Sequence, residues 1–115
     1  ERIDWKSELT AEEGRLLAEF LNEIAWAHAT AADPTLHDGP RSVRMAKLAE
    51  THGEEAKLAG YLDTLAAAHA RAGEFERAVE VQERALAANT DPELTTELTE
   101  RLERYRAGEA FGYGD

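Results

Sequence analysis

The chain has 115 residues, enough for one domain with a modest core, and its net charge of −11 comes from 24 acidic against 13 basic side chains. Such a surface repels phosphate backbones, so nucleic acid is not expected as a partner, and no apolar run approaches the ~20 residues of a membrane-spanning helix. With no cysteine there is neither a disulfide framework nor a thiolate zinc site; the compartment stays open.

Alanine, the strongest helix former, is abundant, while three Val and two Ile are too few for a sheet. The chain begins at Glu1 rather than Met, as expected of a trimmed product or a piece of something longer. Residues 1–9, with Trp5, read as an N-terminal segment that covers the first helix or leaves that role to another domain. Thr10 and Glu13 have capping-box spacing. After them Leu16, Leu17, Phe20, Leu21, Ile24 and His28 recur at helical intervals, giving a first helix to about Thr30. Pro34, Gly39 and Pro40 make residues 31–40 a loop. Asp38 or Gly39 can cap a second helix, with Pro40 in its first turn, carrying Val43, Met45, Ala46 and Ala49 until Gly53 stops it.

A third helix is expected from about Glu54 to Ala72, with Leu58, Tyr61, Leu62, Leu65 and His69 on one face. Gly73 breaks it, and a fourth follows with Phe75, Ala78, Val79, Ala85 and Leu86 inward, ending near Asn89. Asp91 followed by Pro92 is a cap and restart signal. The fifth helix carries one narrow stripe, Leu94, Leu98, Leu102 and Tyr105, among Glu and Arg, and Gly108 ends it. The glycine-rich remainder, residues 109–115, is too short for a helix.

Displaced by 41 residues, the first helix falls on the third: Leu17 on Leu58, Phe20 on Tyr61, Leu21 on Leu62, Ile24 on Leu65, Ala25 on Ala66 and His28 on His69. Displaced by 36, the second falls on the fourth: Ser42 on Ala78, Val43 on Val79 and Ala49 on Ala85. The difference of five lies in the 31–40 loop. Leu62, Leu65, Ala66, Ala68, Gly73, Phe75, Ala78, Ala85 and Leu86 sit where the tetratricopeptide repeat (TPR) pattern wants them. Residues 15–91 thus resemble TPR hairpins, most like the last repeats of bacterial multi-domain TPR proteins, with the first hairpin the weaker match.

The resemblance implies an all-α, TPR-like solenoid: hairpin 1 over residues 10–53, hairpin 2 over 54–90, a capping helix over 91–108 and a tail over 109–115. Two antiparallel pairs would stack right-handedly, the small residues Ala66, Ala78 and Ala85 letting helices approach closely. It also implies a concave groove lined by the first helix of each hairpin. Glu19, Asn22, Trp26, Ala29 and Thr30 would come from hairpin 1, and Gly60, Asp63, Ala67, Ala70 and Arg71 from hairpin 2. Glu19, Asn22, Trp26, Asp63, Ala67 and Arg71 are the partner-binding candidates. Asn22 and Asp63 would bond a peptide backbone, Arg71 a carboxylate, and Trp26 would anchor the interface or pack under the 31–40 loop. The Lys/Asn/Arg pattern of chaperone-clamping TPR domains is absent, so chaperone tails are not expected.

No catalytic constellation competes for the function. No His-x-x-x-His or Glu-x-x-His pair exists, and no phosphate loop or nucleophile elbow occurs. His28 and His69 fill the space of a Tyr-sized ring in the repeat, and Glu12-Glu13 and Glu54-Glu55 suit first helical turns. The expectation is a non-enzymatic module without cofactor or metal that holds a neutral to basic protein segment. The alternative is a structural subunit or fragment of a larger assembly or multi-domain protein, docked by its convex face or tail, including onto other domains of the same chain.

Overall fold

A computed structural model describes residues 10–114; the expected N-terminal segment 1–9 lies outside the described residues. Among these residues every regular element is helical: α1 (Ala11–Thr30), α2 (Gly39–His52), α3 (Leu58–Arg71), α4 (Phe75–Ala88) and α5 (Pro92–Arg106). Single 3-10 turns, Pro34–Leu36 and Glu55–Lys57, precede α2 and α3. The second of these replaces the first turn expected of the third helix. Neither Glu54 nor Lys57 makes a side-chain cap bond there, so the chain tightens before the α-helix starts.

Local chemistry accounts for the other boundaries. Thr10 Oγ1 accepts from Glu13 N–H at 3.1 Å while Glu13 Oε1 accepts from Thr10 N–H at 3.0 Å, a complete capping box. Asp38 caps α2 by accepting from Arg41 N–H at 3.1 Å, and Asp91 caps α5 by accepting from Glu93 N–H at 2.9 Å. Gly73 and Gly108 adopt φ of +83° and +73°, the left-handed conformation that ends α3 and α5 without a Cβ penalty.

The helices pair in chain order, α1 with α2 and α3 with α4; α2 also packs on α3, α5 on α4, and α1 on α3. The two pairs are closed by the same bonds. Asp38 N–H donates to His28 O at 3.0 Å, and Glu74 N–H donates to His69 O at 2.8 Å. Each histidine also turns Nδ1 onto the turn that follows it, His28 to Leu36 O at 2.8 Å and His69 to Glu74 Oε1 at 2.9 Å. Both rings are turn-closing groups.

The core is built on close approach. Ala25, Ala46, Ala66, Ala68, Ala78 and Ala85 are fully buried around Leu62, Leu65 and Tyr105. A Cβ on Gly39 would lie 2.6 Å from Ala72 Cα, and one on Gly53 would overlap the Tyr61 ring. Burial differs between equivalent positions of the two pairs. Tyr61 and Leu65 are both 3% exposed, with Tyr61 packed on Ala49 of α2; Phe20 and Ile24 are 65% and 41% exposed. The stripe Leu16, Phe20 and Ile24 therefore faces outward among the described residues, and α1 buries Gly14, Ala18, Ala25, Ala29 and Thr30 instead.

Ala66→Leu or Ala78→Leu should each cost about 1–3 kcal/mol or more, because the added methylenes drive apart helices in contact. Glu83→Leu removes only an exposed pair with Arg106 at 3.7 Å and should be nearly neutral. Urea unfolding of the three variants reads the difference. Acid should also weaken the fold. The His69 ring hydrogen bond holds the Glu74 carboxyl below the usual range, Thr10 backbone and hydroxyl bonds lower Glu13, and Thr35 lowers Asp33. Depressed carboxyls stabilise the fold above their unfolded values and lose that contribution as pH falls through the folded ones. Melting temperature should therefore drop below about pH 4, and Glu74→Gln should make that drop shallower.

Candidate functional site

Ten consecutive residues of α3, 61–70, are buried, so this stretch of the helix is enclosed on all sides. Asp63 is among them, and an isolated carboxylate there would be prohibitively costly. Its partner is Arg101 of α5: Nε donates to Oδ1 and Nη2 to Oδ2, both at 2.9 Å, a bidentate pair with each side chain about nine-tenths buried. Gln82 of α4 donates to the same Oδ1 and to Leu98 O, both at 3.0 Å. Held this way, the Arg101 guanidinium lies over the Trp26 ring of α1 at 5.4 Å and the Phe111 ring at 5.2 Å. One face is thereby built from α1, α3 and α5.

The segment after Gly108 folds back onto this face. The Trp26 and Phe111 ring centroids are 5.9 Å apart, Phe111 and Tyr113 meet edge to face at 5.3 Å, and Trp26 Nε1–H donates to Tyr113 Oη at 3.2 Å. Arg71 Nε donates to Ala29 O at 2.7 Å and Nη2 to Phe111 O at 3.2 Å. Arg104 Nη2 donates to Ala110 O at 2.7 Å, and Tyr113 N–H to Thr30 O at 2.8 Å. Beneath the segment, burial, reinforced by the Asp63 carboxylate, pushes the Tyr105 hydroxyl well above the usual phenol range.

Toward the start of α3 the same face is open. A cleft of about 490 Å³ is lined by Glu19, Asn22 and Glu23 of α1, Lys57 and Gly60, and Asn89, Asp91 and Leu94 around the α4–α5 turn. Lys57 pairs with Glu19 across it. Asn22 Oδ1 is buried without a hydrogen-bond partner among the described residues.

The six candidates from the sequence thus divide. Glu19 and Asn22 line the open cleft. Trp26, Asp63 and Arg71 are engaged within the chain: Asp63 accepts from Arg101 and Gln82 in place of a peptide backbone, and Arg71 donates to the Ala29 and Phe111 carbonyls. Ala67 is buried. Sequence reading did not select Arg101 or Gln82. Their signal is faint but real: Arg101 lies three residues after Leu98 and four before Tyr105, on the edge of the apolar stripe, where a cation needs a partner. Among the described residues no group of three or more His, Cys, Asp or Glu side chains could hold a metal ion. Comparison with known proteins gives no match, whether to a family model, a curated sequence or a solved structure.

Asp63→Ala should cost about 3–5 kcal/mol, because it strands the Arg101 charge in the interior. Asp63→Leu combined with Arg101→Met should cost distinctly less than the two single losses summed. A double-mutant cycle by chemical denaturation measures this; additive losses would mean that the pair is not coupled.

Proposed function

We propose that the chain is a non-enzymatic helix-hairpin repeat module of the tetratricopeptide kind that holds an extended segment of a partner protein along the face shared by α1, α3 and α5. Two features favour the repeat reading: the displacements of 41 and 36 residues in sequence, and the bond from the next helix's cap N–H to a histidine carbonyl in both turns. The outward stripe on α1 fits it as well, since the equivalent face of α3 is covered by the preceding helix pair.

The observation that carries the binding reading is the open cleft, and within it Gly60. This glycine costs α3 up to about 1 kcal/mol in helix stability, yet a Cβ there would meet nothing within 4 Å. Its smallness serves no packing inside the chain. It leaves room for an incoming backbone in the wall of the cleft. Glu19, Glu23 and Asp91 outnumber Lys57 around the cleft, which suits a neutral to basic segment. Neither metal nor nucleotide is needed.

A second reading, a structural piece of a larger assembly or multi-domain protein, is favoured by the outward Leu16, Phe20 and Ile24, an apolar row at successive helical turns.

Screening a library of neutral to basic peptides separates the two. The groove reading expects the parent to retain a sequence-selective subset, and Gly60→Trp, which fills the cleft, to weaken those peptides about tenfold or more at unchanged helicity. Equal binding by parent and Gly60→Trp rejects it. Self-association or domain docking that is lost in Phe20→Asp and kept in Gly60→Trp supports the second reading.

A further inference from the structure

We propose that residues 109–114 are a built-in ligand for one half of the α1–α3–α5 face, and that this half takes an extended segment with two aromatic rings flanking one small residue, which binds by displacing the chain's own. The inference rests on the groove reading only in supposing that an outside segment arrives; the docking site itself is drawn by the segment now seated on it.

Three features make it a docking site rather than ordinary core. First, the anchors are largely main-chain groups of the segment. Phe111 O and Ala110 O accept from Arg71 and Arg104, and Tyr113 N–H donates to Thr30 O, one of the last carbonyls of α1 that no helical N–H can satisfy. Any extended chain offers such groups, and the side-chain contacts then supply selectivity. Second, the receiving surface is held by other parts of the fold. Arg101 is fixed by Asp63, and Arg71 also grips Ala29 O, so Trp26 and the arginines form a preorganised bed for aromatic rings. The small residues also matter: Gly112 is buried, and a Cβ on Gly114 would sit 2.6 Å from Ala32 O. Third, the segment is lightly attached. It follows the left-handed Gly108, contains no regular element, buries Ala110 and Phe111 only in part, and leaves Tyr113 65% exposed.

A tethered ligand acts at an effective concentration of about millimolar, so it blocks the face against a free segment of similar intrinsic affinity. The test uses the full chain and a labelled peptide with the sequence of residues 107–115, followed by fluorescence anisotropy. In Phe111→Ala/Tyr113→Ala the tethered segment loses its ring contacts, and the peptide should bind about tenfold or more tighter than to the parent. A peptide with both rings replaced by Ala should not bind. Should the double variant lose helicity, Tyr113→Pro serves instead: it removes the N–H bond to Thr30 O and the bond to Trp26 at an exposed position. Folded released-segment variants that bind the peptide no better than the parent, or not at all, overturn the inference. The cleft experiment is independent of this result: library peptides lost in Gly60→Trp uphold the groove reading even if the 107–115 peptide fails, and the reverse outcome leaves the built-in ligand standing alone.

Discussion

Enclosure of residues 61–70 of α3 on every side is the constraint from which the rest of the molecule follows. A helix with neighbours all round cannot carry a large side chain at each position, so the run from 61 to 70 alternates a few large residues with Ala66, Ala67, Ala68 and Ala70. Close approach multiplies the dispersion contacts of each methyl and compensates for the small apolar area an alanine brings. It also leaves no room for error: Gly39 against Ala72 and Gly53 against Tyr61 are contacts at which even a methyl group has no space.

The same enclosure gives Asp63 its role. A carboxylate in that environment is tolerable only with its lone pairs filled, and Arg101 and Gln82 fill three of them from two other helices. The pair thus ties α5 to α3, although α5 packs chiefly on α4. It also fixes where a guanidinium faces the Trp26 ring. In a chain of net charge −11, Arg71, Arg101 and Arg104 gather on one half of one face, while the other half keeps Glu19, Glu23 and Asp91.

The helices were legible because their signals are local. Caps at Thr10, Asp38 and Asp91, the left-handed glycines at 73 and 108, and apolar periodicity act within a few residues of where they are read. The internal displacement was also legible, as was the pairing of helices it implies. What the sequence concealed was which face of α1 is inward. Leu16, Phe20 and Ile24 form as good a stripe as Gly14, Ala18 and Ala25, and hydrophobicity alone favours the wrong one. The choice depends on what packs alongside, which periodicity does not contain. The candidate site was half legible for a related reason: Trp26, Asp63 and Arg71 do share one region, but their partners Arg101 and Phe111 lie 38 to 85 residues away along the chain.

That distance bears on how the C-terminal segment is held. Ordering its backbone costs about 1–2 kcal/mol per residue, and against this stand one half-buried ring, a cation–π contact and a few hydrogen bonds, each with a net contribution of about 1 kcal/mol. The sum is close to balance. The hold on residues 109–114 therefore depends on ring contacts and main-chain hydrogen bonds together. The helices are held differently, since their side chains pack around α3 in one core. Residues 109–114 place Ala110 and Phe111 against the main core and leave Tyr113 at the rim of the face, 65% exposed. Asp63 and Arg101 thus belong to the enclosed scaffold, while Phe111 and Tyr113 reach Trp26 from a segment without regular structure.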